Sequence, residues 1–145
     1  MTENNATQKV IVLGGGYAGV LAANHLLQQQ TAQVTLVNAR PEFVERIRLH
    51  QLVAGTHDAT ADYDELLSDK VRLVVDKAER IDTAARRVEL ASGNTLDYDY
   101  LIYAVGSTSA GAPEFAYALS EFEDAQRLRA RLQDAQFLQD LDPVA

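Results

Sequence analysis

The sequence has no cysteine. A disulfide, a thiolate metal site and a redox-active thiol pair are therefore excluded, and the composition suits the cytoplasm. Positive charge is scarce: 13 Lys and Arg stand against 21 Asp and Glu, for a net charge of −8. With no basic cluster, a nucleic-acid duplex would be repelled and an anionic lipid surface would be a poor partner. No apolar run reaches the length of a membrane span. The polar head before Lys9 contains Glu3 and lacks the basic region of a signal peptide. The acids are scattered without metal-ligand spacing, so no metal site is expected, and no general base or nucleophile cluster stands out as catalytic. His25 falls off the apolar face of its predicted helix, and His57 sits in a polar loop. There is no internal repeat. What remains is a chain of 145 residues, 47% hydrophobic, long enough for one domain with a real core.

The informative stretch runs from Val10 to Leu27. Val10-Ile-Val-Leu13 reads as a strand buried on both faces. Gly14-Gly15-Gly16-Tyr17-Ala18-Gly19 follows at once, and Gly19, Ala22, Ala23 and Leu26 then recur at helical spacing. Gly14, Gly16 and Gly19 form a Gly-x-Gly-x-x-Gly fingerprint between a strand and a helix, the context that points to a dinucleotide. Gly14 permits a tight turn, Gly16 lets backbone approach a pyrophosphate, and Gly19 lets the helix pack closely. The helix N-terminus offers N–H groups and partial positive charge to phosphates. The alternative is a glycine turn serving packing alone.

Gln33–Val37 is a second strand, giving β-α-β. A ribose-binding acid is expected about 20 residues past the glycines; the sequence has Asn38 there, then Arg40. Asn38 can contact a ribose without the charge assistance of a carboxylate, and Arg40 can meet adenine or a phosphate. Both also suit a plain turn before Pro41. Phe43–Gly55 reads as a helix or a loop plus a helix ending at Gly55. Its Arg46, Arg48 and His50 are either functional or a solvated face with Glu42 and Arg46 paired at i, i+4. A short helix is predicted around Tyr63–Leu67, and a third strand at Val71–Val75. Ala78–Asp82, Arg86–Leu90 and Thr95–Tyr98 suggest a three-stranded antiparallel meander. Tyr100–Val105 is a further strand, closing on Gly106-Ser107-Thr108. Ser120 and Glu123 form a capping-box pattern at the start of a last helix. That helix carries a stripe of Phe122, Ala125, Leu128, Leu132, Ala135 and Leu138, with Glu123, Arg127 and Arg131 paired along its outside.

Three of these segments together resemble the N-terminal, FAD-binding part of the pyridine nucleotide–disulfide oxidoreductase superfamily, in the manner of type II NADH dehydrogenases. They are the opening strand, turn and helix; Val-Thr-Leu-Val-Asn-Ala-Arg40; and Tyr98-Asp-Tyr-Leu-Ile-Tyr-Ala-Val-Gly-Ser107. The likeness covers about Lys9–Leu138. It implies an α/β, Rossmann-like FAD/NAD(P)-binding domain, a parallel sheet with helices and an inserted antiparallel meander. By the resemblance, Gly14, Gly15, Gly16, Tyr17, Ala18 and Gly19 would hold the FAD pyrophosphate. Asn38 and Arg40 would face the adenosine, Ala78 would lie against adenine by its backbone, and Ala104 and Gly106 would pass near the pyrophosphate and ribityl. The Phe43–Gly55 segment would run near the flavin ring, bringing Arg46 or His50 toward it.

The expected organisation is a disordered head over residues 1–8, an FAD-binding domain over 9–118, and a helix and tail over 119–145. The tail would lead into a nicotinamide-binding domain that these residues do not contain. The activity expected from the resemblance is that of a cytoplasmic NAD(P)H-dependent flavoprotein oxidoreductase with NAD(P)H as co-substrate. It would be incomplete as it stands: a fragment, a truncated gene product, or one chain of a split enzyme whose second chain supplies the nicotinamide domain. The competing readings are a non-catalytic NAD- or ADP-ribose-binding module and an inactive truncated product.

Overall fold

A computed structural model of the chain describes residues 6–29 and 32–134. The expectations for residues 1–5, for Gln30 and Thr31, and for Ala135, Leu138 and the rest of the tail lie outside the described residues. The elements are β1 (Gln8–Leu13), α1 (Tyr17–Leu26), β2 (Ala32–Asn38), β3 (Glu42–Val44), α2 (Leu49–Ala54), β4 (Thr60–Asp62) and α3 (Tyr63–Leu66). After them come β5 (Arg72–Val75), β6 (Ala78–Asp82), β7 (Arg87–Leu90), β8 (Thr95–Asp97), β9 (Tyr100–Tyr103) and α4 (Phe122–Gln133). They fall into two compact units, one within Met1–Phe43 and Ala61–Gly106, the other within Val44–Thr60 and Ser107–Ala145.

In the first unit, β5, β2, β1 and β9 lie side by side in that order, all parallel. Val10 stands opposite Val34 and Leu13 opposite Val37. Both faces of this sheet are covered, which is why its strands are continuous apolar runs. On one face Val12, Val34 and Leu36 pack with Val20 and Ala23 of α1, and with Phe43 and Tyr63. On the other, Ile11, Leu13 and Val37 pack with Val88 and Leu90 of β7. β7 is the middle strand of the antiparallel β6-β7-β8 meander, found where the turn signals put it. The predicted α/β architecture therefore holds, with element ends shifted by a residue or two.

Two stretches depart from expectation. Phe43–Gly55 opens as strand β3, so Glu42 and Arg46 share no helix and the predicted i, i+4 geometry does not form. Arg46–Arg48 is a single tight turn leading into α2, which ends at Gly55 in the left-handed region (φ 74°), as the sequence suggested. Arg48 pairs with Glu45 at 2.8 Å. Helix α4 begins at Phe122, not Ser120, and Glu121 takes the extended capping position with no side-chain cap. The residue reaching back over the turn is Asp124, which accepts the Ala118 N–H at 2.9 Å and pairs with Arg127. A 118–121 turn, closed by Glu121 N–H to the Ala118 carbonyl, displaces the predicted box by one position. The stripe of α4 serves as foreseen near its start: Ala125 and Phe122 pack with Leu49, Leu52 and Ala59.

Candidate functional site

The chain leaves β1 at Leu13 and enters α1 at Tyr17, so three glycines make the whole turn. Gly14 has φ +99°, and a Cβ there would lie 2.3 Å from the Ala104 carbonyl oxygen, just past the end of β9. A side chain is excluded on both counts. At Gly19 a Cβ would stand 1.8 Å from the Gly14 carbonyl oxygen, so its absence lets the helix close onto the turn. Gly16 differs: it is exposed, its backbone is ordinary (φ −79°, ψ −165°), and a Cβ would meet nothing within 4 Å. Nothing among the described residues needs a glycine there. The space a side chain would fill lies open in front of the helix.

Gly16 caps α1 without a side-chain hydrogen bond, and the first turn carries no acid. The opening N–H groups of an α-helix have no partner within the helix. Here nothing from α1's own first turn neutralises the partial positive charge of that end. The arrangement suits an anion.

Two side chains fix the turn from behind. The Asn38 Oδ1 accepts the Gly15 N–H at 3.0 Å, and the Asn38 Nδ2 donates to the Arg40 carbonyl at 2.9 Å. One partner needs an acceptor and the other a donor, so the orientation of the amide is set. Asn38 is thus a bridge from the end of β2 to the glycine turn, its oxygen engaged at one end and its nitrogen at the other. The second is Tyr63, whose hydroxyl donates to the Gly15 carbonyl at 2.6 Å. Its ring is 3% exposed and stands edge-on to Phe43 at 6.3 Å, and Phe43 stands edge-on to Tyr17 at 5.1 Å. Burial pushes the Tyr63 phenol up to about 12, against the opposing pull of the nearby Arg40 charge. The sequence pointed to neither Tyr63 nor Phe43. Tyr63 is 48 residues from Gly15, and no local pattern announces such a contact.

The remaining predicted residues sit as follows. Tyr17 and Ala18 open α1, and Arg40 is exposed in the turn after β2. Ala104 donates its N–H to the Leu13 carbonyl at 2.7 Å, which holds the end of β9 beside the turn. Gly106, two residues on, has φ +73°. Ala78 opens β6 opposite Leu90 and packs against the Ile11, Leu13 and Val37 cluster. So the turn, Asn38 and Ala104 are brought together directly. Arg46 and His50 belong to the second unit. There the Arg46 guanidinium donates to the Ser107 and Ser120 carbonyls at 2.8 and 3.1 Å and meets Glu121 at 3.5 Å, while His50 is exposed. No group of three or more metal-ligating side chains occurs among the described residues, and no helix among them is long and apolar enough to cross a membrane.

Comparison with known proteins agrees with this layout. The chain is 32% identical over 143 residues to a type II NADH:quinone oxidoreductase of Staphylococcus haemolyticus (strain JCSC1435), covering 88% of this chain and 34% of that protein. It spans about a third of the length of the curated relatives it matches. Among solved structures, the sulfide:quinone oxidoreductase of the hyperthermophilic bacterium Aquifex aeolicus superposes with a TM-score of 0.77. That match has 26% identity and covers 92% of this chain and 33% of that one. NDH2 of Plasmodium falciparum, solved in complex with NADH, gives 0.71 at 25% identity, over 86% of this chain and 28% of that one. The model of the pyridine nucleotide-disulphide oxidoreductase family matches residues 8–139. A match over nearly the whole chain, on a fold whose glycine turn is built as the fingerprint requires, shows that the chain belongs to the pyridine nucleotide-disulphide oxidoreductase family.

Proposed function

We propose that this chain binds FAD at the Gly14–Gly19 turn and forms the flavin-holding part of a NAD(P)H-dependent oxidoreductase that passes electrons to a quinone or dye acceptor. One observation carries the reading: an uncapped helix N-terminus behind Gly16, where a Cβ would meet nothing within 4 Å among the described residues. That is the space a pyrophosphate needs, so the residues present fit the cofactor. The N–H groups of Gly16, Tyr17 and Ala18 would take the phosphate oxygens. Asn38 would face the ribose, with Arg40 beside it, and Ala78 would meet the adenine by its backbone. Ala104 and Gly106 would line the path toward the ribityl. The bound flavin supplies the hydride chemistry, and the protein's part is to bind and orient it.

The names of the relatives support the acceptor class, and their greater length supports a nicotinamide-binding partner region beyond these residues, in the same chain or a second one. We assign the protein to the cytoplasm on its cysteine-free composition. The test is titration of the purified chain with FAD, NAD and ADP-ribose, followed by flavin fluorescence and calorimetry. Saturable binding of FAD in preference to NAD supports the reading. Binding of NAD or ADP-ribose without FAD would replace it with a non-catalytic nucleotide module.

A further inference from the structure

We propose that Tyr63 is a positioning residue for the glycine turn, its hydroxyl holding the Gly15–Gly16 peptide with the Gly16 N–H turned outward toward a bound diphosphate. The inference rests on the reading of this turn as a phosphate site. The peptide unit is planar and trans, so its carbonyl and its N–H point in opposite directions. The Gly15 carbonyl is drawn inward by the buried Tyr63 hydroxyl at 2.6 Å. The N–H of the same unit belongs to Gly16, and it must therefore face away from Tyr63. Gly16 is exposed, and the position a Cβ would take beside it is open, so a ligand can come up to this N–H.

The peptides on either side sharpen the assignment. The Gly14 N–H goes to the Val37 carbonyl at 2.9 Å, and the Gly15 N–H goes to Asn38. Neither is free for a phosphate. Gly16 carries the first N–H of the turn with no protein acceptor among the described residues, followed by the opening residues of α1. Its own peptide unit is held by the hydrogen bond from the Tyr63 side chain. A carbonyl that accepts a hydrogen bond also strengthens the N–H of its own peptide as a donor, so Tyr63 acts on both the aim and the strength of this contact. The Tyr63 ring lies in a buried cluster with Val12, Val34 and Leu36 and stands edge-on to Phe43, one neighbour among several. A phenol is protonated throughout the neutral range, and burial extends that range upward, so at neutral pH the hydroxyl is a donor.

Tyr63→Phe removes the hydroxyl and keeps the ring against Phe43. ADP and adenosine serve as probes, because they share the adenosine and differ in the diphosphate. The expected result is ADP binding weakened about five- to tenfold with adenosine binding unchanged, the loss of one oriented hydrogen bond at an anion. Phe43→Leu is the companion variant: it loosens the ring packing and keeps the hydroxyl, and its ratio of ADP to adenosine affinity should stay within about twofold of wild type. Nuclear magnetic resonance of the ligand-free chain adds a direct readout, since the Gly15 carbonyl and Gly16 amide signals should shift in Tyr63→Phe and hold in Phe43→Leu. Unchanged ADP affinity in folded Tyr63→Phe overturns the role of the hydroxyl and leaves the phosphate site standing. An equal loss for ADP and adenosine, or the same ADP loss in Phe43→Leu, also overturns it. A wild-type chain that binds neither ADP nor FAD overturns the phosphate reading itself, and the role of Tyr63 with it.

Discussion

At the scale of single residues, the fingerprint glycines divide into two kinds. Gly14 and Gly19 are demanded by the fold, since a Cβ at Gly14 would strike the Ala104 backbone and one at Gly19 the backbone of the turn itself. Gly16 is demanded by nothing among the described residues. Gly19→Ala should therefore lower stability by about 1–3 kcal/mol through overpacking. Gly16→Val should stay within about 1 kcal/mol of wild type and yet lose FAD. Denaturant melts and flavin titrations run on both variants check this, and retained FAD affinity in Gly16→Val would remove the turn as the site. Asn38 carries a second lesson. Sequence reasoning sees it as a weak substitute for a ribose-binding acid, so Asn38→Asp looks harmless. In the structure the amide donates to the Arg40 carbonyl, a bond that a carboxylate cannot make. Asn38→Asp should cost about 1 kcal/mol at neutral pH. The deficit should shrink near pH 4, where a protonated carboxyl regains a donor. A chemical melt at the two pH values decides it, and a deficit absent at pH 7 would mean that the bond from Asn38 to the Arg40 carbonyl contributes nothing.

At the scale of elements, legibility followed sequence distance. β1, α1, β2 and the meander were readable because each is specified by its own residues: apolar runs for strands buried on both faces, glycines for the turn, Ser92-Gly93-Asn94 for the hairpin. Helix α4 shows the limit. Ser120 and Glu123 have the spacing of a capping box, yet the 118–121 turn moves the helix start to Phe122. The residue that matters there is Glu121, whose carboxylate accepts the Ser109 N–H at 2.9 Å and meets Arg46. These are contacts of 12 and 75 positions in sequence, beyond any local pattern. Ser120→Ala should leave stability within about 0.5 kcal/mol, because Arg46 uses only the Ser120 carbonyl. Glu121→Ala should cost about 1 kcal/mol, mostly through the Ser109 N–H, since the ion pair is partly screened by solvent. Thermal melts of the two variants compare them directly; a larger loss for Ser120→Ala would restore the capping box. The bracing of the turn by Tyr63 was illegible for the same reason, being a contact between segments that only the finished sheet brings together.

At the scale of the whole molecule, Tyr63 ties stability to pH. Its phenol ionises near 10 in an unfolded chain and at about 12 in the fold. Between those values the native state holds a proton that the unfolded state has lost, so stability falls as pH rises through this window. The full contribution, about 2–3 kcal/mol, is present below pH 10 and gone above 12. Melts from pH 9 to 12 should show the fall in wild type, and Tyr63→Phe should lack that part of it. Turnover belongs to the same scale. The residues assigned to the cofactor all serve its adenosine, pyrophosphate and ribityl portions, and the 145 residues carry a single Gly-x-Gly-x-x-Gly turn. Once FAD occupies that turn, no second one remains to grip the pyrophosphate of a nicotinamide dinucleotide. A nicotinamide would then reach the flavin only by collision, without the rate advantage that fixed positioning gives, worth about 7–11 kcal/mol in favourable cases. The 145-residue chain loaded with FAD should therefore consume NADH no faster than free FAD with a quinone or dye acceptor. Adding a separate polypeptide that carries the relatives' remaining two thirds should raise both flavin retention and NADH consumption. Steady turnover by the chain alone, well above free FAD, would show that these residues hold both nucleotides and that the flavin-holding role assigned to them is too narrow.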